Sequence, residues 1–164
     1  MNGRSSGLDA IRVLKRDHRK VEAWFKQLAQ AVTDTQRRDL ALKICTTLRI
    51  HAQIEEEIFY PALLELTKDR GRHHEAIVEH AVVQGLIEEI ERSDPGDEFF
   101  AARMTVLAEL IKYHVKEEEK PDGMFAAARK AGMDLQWVGR TLQMRKLELG
   151  DRRASGAGTA VNAA

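Results

Sequence analysis

Apolar residues recur at alternating spacings of three and four along four stretches of this chain, the period that lays a stripe along one face of an α-helix. Over residues 9–32 the stripe runs Ile11, Leu14, His18, Val21, Phe25, Leu28, Val32. Over 36–67 it runs Ala41, Ile44, Leu48, His51, Glu55, Ile58, Ala62. Over 73–92 it is Ala76, His80, Val83, Ile87, Ile90, and over 97–119 it is Phe100, Met104, Leu107, Ile111, His114, Glu118. Stop signals separate the stretches. Thr33-Asp34-Thr35 divides the first two, with Asp34 or Thr35 placed to cap the second helix. Gly71 follows Lys68-Asp69-Arg70, and Ser93-Asp94-Pro95-Gly96-Asp97 is a turn ending in a capping acid. The connections are short, so successive helices lie antiparallel. The pattern predicts an all-α fold, an up-down-up-down four-helix bundle.

Beyond the bundle, Pro121-Asp122-Gly123 interrupts the fourth helix, because proline lacks an amide donor and crowds the preceding turn. A short helical piece at 124–130 follows. An amphipathic segment over 134–149 then carries Leu135, Val138, Leu142 and Leu149 on one side, an extra C-terminal helix laid across the bundle. Residues 1–7 are expected to be flexible and 8–149 to form one domain. Residues 150–164, rich in Gly, Ala, Ser and Thr, are expected to be disordered.

Composition narrows the function classes. At 164 residues, 43% hydrophobic and 32% charged, the chain suits one soluble domain of amphipathic helices. Lys plus Arg and Asp plus Glu both total 26, so no basic excess points to nucleic acid. No apolar run approaches the ~20 residues of a membrane span. The start lacks the apolar core of a secretory signal, so a cytoplasmic location is expected. Cys45 is the sole cysteine, which leaves no internal disulfide framework and reads as a small buried thiol.

Six polar residues break the apolar stripes at positions that must face inward: His18, His51, Glu55, His80, His114 and Glu118. Each helix supplies one histidine, and two helices add a carboxylate one turn on, in the repeated His-x-x-x-Glu-Glu of 51–56 and 114–119. Residues four apart on a helix lie one above the other, so imidazole and carboxylate aim at one point. Unpaired charges in such a core cost several kcal/mol each, a penalty that metal ions remove. Imidazole suits Zn, Cu, Fe and Ni, while carboxylates able to bridge two ions favour a dinuclear iron or manganese site. Six donors are too many for one tetrahedral zinc.

In these residues the chain resembles bacterial hemerythrin-like proteins of the HHE cation-binding type. The resemblance rests on Asp17-His18-Arg19-Lys20-Val21-Glu22, on His51 through Glu55-Glu56-Glu57-Ile58-Phe59-Tyr60-Pro61, on Glu79-His80 and on His114-Val115-Lys116-Glu117-Glu118-Glu119. It implies two non-heme iron ions with an oxo or hydroxo bridge, held by His18, His51, Glu55, His80, His114 and Glu118, both carboxylates bridging. It also implies a small ligand, dioxygen, nitric oxide or peroxide. Oxygen-carrying relatives place a further histidine four residues before the third-helix ligand; Ala76 stands there in this chain. One iron is therefore expected to be less fully ligated, its open place filled by water or by Tyr60 or Tyr113. That departure makes a peroxide-decomposing enzyme an alternative to oxygen binding, with iron storage or buffering a third reading. The proline break directly after Glu118-Glu119 bears on the aim of Glu118.

Other candidates read more plainly. His73 and His74, neighbours on a helix, are expected at the rim rather than as ligands. Glu22 falls beside the seam. Glu56, Glu57, Glu117 and Glu119 are expected on solvated faces, one or two of them orienting imidazoles. Trp24 and Trp137 read as packing residues.

Overall fold

The computed structural model describes residues 9–159, with side chains to residue 153. It is helical throughout its regular elements: α1 (Ala10–Gln30), α2 (Asp34–Ile54), a π-helical turn (Glu55–Phe59), α3 (Tyr60–Thr67), α4 (Arg70–Arg92), α5 (Phe100–Glu119), α6 (Met124–Lys130) and α7 (Leu135–Thr159). The expected four bundle helices are α1, α2 with its continuation α3, α4 and α5. Helix α7 packs against α1 and α2 on the outside. Among the described residues no helix is long and apolar enough to cross a membrane.

Local chemistry sets the ends. Asp9 caps α1, its side chain accepting from the Arg12 amide at 2.8 Å. At α2 the cap is Thr33 rather than Asp34 or Thr35. The Thr33 hydroxyl accepts from the Gln36 amide and the Gln36 side chain accepts from the Thr33 amide, a reciprocal pair open only to a residue three before a glutamine. The break before α4 falls at Lys68, which adopts a left-handed conformation at φ 57°, and Asp69 then caps α4. Gly71, expected to mark that stop, lies inside the first turn of α4.

The π-helical turn corrects the second stripe. The Tyr60 amide donates to the Glu55 carbonyl, five residues back. One residue more than an α-turn rotates everything downstream by about 100°. Ile58 and Ala62, expected in the seam, are only partly buried, and Phe59, Tyr60 and Leu63 take the core positions instead.

At the other end of the bundle, α5 stops at Glu119 and Lys120 turns extended before Pro121. Gly123 then brings its backbone against the end of α5: a Cβ there would lie 2.5 Å from the carbonyl oxygens of both Glu117 and Glu118. The break leaves Glu118 helical and 1% exposed, so the proline does not turn it away from the core. Helix α7 continues to Thr159, while 160–164, the rest of the segment expected to be disordered, lie outside the described residues, as do 1–7. Extending an existing helix by one residue needs no new nucleus, and the Arg and Ala residues of that segment favour it.

The core is split in two. One apolar cluster, around Ile11, Leu14, Ile54, Phe59, Phe125 and Leu142, fills one end of the bundle. A second, around Val21, Ile44, Leu48, Ile87, Met104 and Leu107, fills the other. Each fully buried side chain of this kind contributes about 1.5–3 kcal/mol. Between them lies a buried polar layer: Asp17, His18, His51, Glu55, His80, His114 and Glu118.

Candidate metal centre

The six inward-facing polar side chains meet in that layer. His18 Nε2 and His51 Nε2 stand 3.0 Å apart, with Glu55 Oε1 3.1 Å from the latter and Glu118 Oε2 3.4 Å from the former. On the other side His80 Nε2 and His114 Nε2 are 3.4 Å apart. Glu55 Oε2 lies 3.4 Å from His80, and Glu118 Oε1 lies 3.6 Å from His114. Each carboxylate thus turns one oxygen to each histidine pair. The donor atoms form two groups of metal-binding size, His18–His51–Glu55–Glu118 and Glu55–His80–His114.

Tyr60 enters between them. Its hydroxyl donates to Glu118 Oε1 at 2.9 Å and lies 3.3 Å from Glu55 Oε2, 3.3 Å from His80 Nε2 and 3.4 Å from His114 Nε2. On an unbroken α-helix, residue 60 would lie on the face opposite His51, nine positions earlier. The π-helical turn brings it in. Tyr113, the other tyrosine proposed from sequence, is 57% exposed.

Four further acids fix the imidazoles. His18 Nδ1 donates to Glu119 at 2.8 Å, His51 Nδ1 faces Asp17 at 3.4 Å, His80 Nδ1 donates to Glu56 at 2.8 Å and His114 Nδ1 to Glu79 at 2.7 Å. A carboxylate only accepts, so each Nδ1 carries a proton, and Nε2 is the nitrogen each ring turns to the centre. The bonds follow a pseudo-twofold pattern. Exchanging α1 with α4 and α2 with α5 converts Asp17→His51 into Glu79→His114, and Glu56→His80 into Glu119→His18. Sequence reading quoted Asp17 and Glu79 only within the motifs that carry the resemblance, with no role of their own, and set Glu56 and Glu119 mainly on solvated faces. The available signal was their adjacency to ligand positions: Asp17 precedes His18, Glu79 precedes His80, Glu56 follows Glu55 and Glu119 follows Glu118. Glu57 and Glu117 do face outward, paired with Arg145 and Lys120, and Glu22 is exposed beside Lys26. His73 reaches further in than expected, its ring edge against Tyr60.

Charge in the layer calls for a cation. Burial opposes a proton on His51, but Glu55 and Asp17 outweigh it and push its pKa up to about 10. Burial likewise opposes charge on His80, and Glu55 and Glu56 push it up to about 9. Burial would raise Glu55, yet His51 and His80 hold it well below the usual carboxylate range. Burial, then Glu55 and Glu118, push Tyr60 well above the ordinary phenol range. Two acceptor atoms at the heart of the site, Glu55 Oε1 and Glu118 Oε2, have no hydrogen-bond donor. Buried orphan carboxylate oxygens facing paired imidazole nitrogens are what a bound metal ion satisfies, in place of the protons those rings otherwise hold. The donor set of nitrogens and carboxylate oxygens fits iron or manganese.

Residues 9–126 match the family described as Hemerythrin HHE cation binding domain. The crystal structure of a hemerythrin HHE cation binding domain-containing protein from Mycobacterium kansasii superposes with a TM-score of 0.75, covering 94% of this chain and 93% of that one at 22% identity. A protein of Nostoc sp. (strain PCC 7120) named DNA nickase is 31% identical over 117 residues. That match covers 71% of this chain but only 32% of the Nostoc protein, so the chain spans about a third of that relative's length.

Proposed function

Because this chain belongs to the hemerythrin HHE cation-binding domain family, we propose that its buried layer holds two non-heme iron ions with an oxo or hydroxo bridge, which bind or sense dioxygen or a related diatomic such as nitric oxide. The observation that carries this reading is the division of Glu55 and Glu118, each offering one oxygen to each histidine pair. His18, His51, Glu55 and Glu118 would hold one ion, and His80, His114, Tyr60 and the opposite carboxylate oxygens the other. Bound there, iron supplies the redox change that lets a diatomic ligand bind and leave.

The chain's own residues position and shield. The four acids lock the imidazoles in one tautomer. Phe125 stacks on His18 at 5.9 Å, where the other half has the Tyr60 hydroxyl beside His80. The His18–His51 half therefore has one donor fewer, and the small ligand meets the centre there. A groove of about 670 Å³ between α1 and α5 reaches His18, walled by Phe25, Ala29, Ala108, Ile111 and Val115. Apolar walls suit a neutral diatomic and discourage water.

Metal analysis joined to absorption spectra tests the reading. Iron-loaded protein should change its spectrum reversibly with dioxygen or nitric oxide; less than about one iron per chain, or spectra indifferent to both gases, would sink it. Peroxide decomposition is the second reading, favoured by Ala76, which offers no nitrogen donor one turn before His80. Steady oxygen evolution from hydrogen peroxide, lost in His80→Ala, would support it; turnover no faster than free iron would remove it. DNA cleavage, named for the Nostoc relative, is not proposed. The formal net charge of zero supplies no basic excess toward phosphate.

A further inference from the structure

A second opening reaches the metal layer, and its character differs from the apolar groove at His18. Between α4, α5 and α6 a cleft of about 160 Å³ runs from the surface to His114 and Glu118. Ala76, buried beside it, leaves the space that a larger side chain would fill. Glu118 on its wall is 1% exposed and turns Oε1 toward His114 at 3.6 Å. Around the mouth the cations are already matched: Arg72 turns to Asp69 at 3.5 Å and Lys120 to Glu117 at 2.6 Å. Two acids are not. Glu75 is exposed and has no ion-pair partner among the described residues, and Glu79 accepts only from the His114 ring. Two uncompensated negative charges therefore stand over a passage that ends on ligand atoms. At the apolar groove, by contrast, Glu22 is matched by Lys26 and Glu119 by Lys15 and Arg19.

We propose that this cleft is the port through which divalent cations enter the centre. Glu75 and Glu79 concentrate the cation at the mouth, and His114 and Glu118 receive it. The inference rests on the metal reading above. A low-dielectric cleft bearing one sign of charge raises the local concentration of counter-ions and their rate of entry.

The test is stopped-flow loading of the metal-free protein with cobalt(II), whose visible absorption reports binding. Glu75 is exposed, so replacing it spares the core. Glu75→Gln should slow loading by about two- to threefold and Glu75→Lys by about five- to tenfold at low ionic strength, with both differences shrinking in salt. Glu22→Lys, the same charge change at the other opening, should load at the wild-type rate. All three variants should reach the same final cobalt content. A Glu75→Lys protein that loads at the wild-type rate overturns the port, and so does an equal slowing by Glu22→Lys. Wild-type protein that takes up no cobalt at any time overturns the metal reading and the port with it.

Discussion

Asp17 offers a sharp perturbation because it serves two partners at once. It is 1% exposed; Oδ2 faces His51 Nδ1 at 3.4 Å and Oδ1 pairs with Lys146 of α7. Asp17→Asn keeps the shape and removes the charge. Two effects should follow, and they are separable. Breaking a fully buried ion pair costs about 3–5 kcal/mol. The Lys146 side chain is 31% exposed and can turn to water, so the loss of stability should be nearer 1–3 kcal/mol. Losing the anionic acceptor behind a ligating imidazole should weaken metal binding by about 10- to 100-fold, or 1.4–2.7 kcal/mol. Glu57→Gln is the matched control. Glu57 also ties α7 to the bundle, through a two-point bond to Arg145 at 2.6 and 3.1 Å, yet it touches no histidine. That solvent-screened pair should cost little stability and leave affinity unchanged. Competition against a chelator measures affinity, and thermal melts of metal-free protein measure stability. Asp17→Asn binding metal within twofold of wild type would refute the tautomer-locking argument, whatever happens to the melt.

Three further outcomes are expected. Tyr60→Phe preserves packing and removes the one hydroxyl in the layer, so the ferric protein should lose the visible absorption of a phenolate ligand while still binding metal; an unchanged spectrum means Tyr60 is not a donor. Gly123→Ala places a methyl 2.5 Å from two backbone carbonyls and should cost about 1–3 kcal/mol in a chemical melt while lowering metal affinity through Glu118; a neutral effect would show that α6 can shift freely. The pH dependence of the metal-free protein should run downward above neutrality. His51 and His80 have pKa values raised to about 10 and about 9, so their contribution to stability is complete below about pH 6.5, the unfolded value, and is lost as pH rises through 9–10. Melts from pH 6 to 10 check this; the metal-free protein should soften across that window, and a melting temperature flat or rising with pH would contradict it.

Much of this arrangement could be read from residue spacing. A 3.6-residue period interrupted by His18, His51, Glu55, His80, His114 and Glu118 was enough to bring those six into one layer, because a buried stripe fixes which way each residue points. The geometry of their partners was not legible in the same way. Asp17, Glu56, Glu79 and Glu119 each sit one position from a candidate ligand in their own segment but face a histidine of another helix, and helical spacing within one helix says nothing about that exchange. Tyr60 was out of phase for a different reason. The period assumes an unbroken α-helix, and the π-helical turn at Glu55–Phe59 adds a residue within the very stretch that carries Glu55. Composition alone did not show how far α7 runs, because a helix already nucleated upstream carries on through the Gly and Ser of 150–159.

The most direct test of the central claim is an anaerobic titration of metal-free protein with ferrous ion, followed to saturation. Two histidine pairs sharing two carboxylates predict saturation at two irons per chain, with Glu55→Ala and Glu118→Ala each losing the coupled uptake of the pair. Saturation at one iron, or uptake unchanged by removing either shared carboxylate, would contradict it.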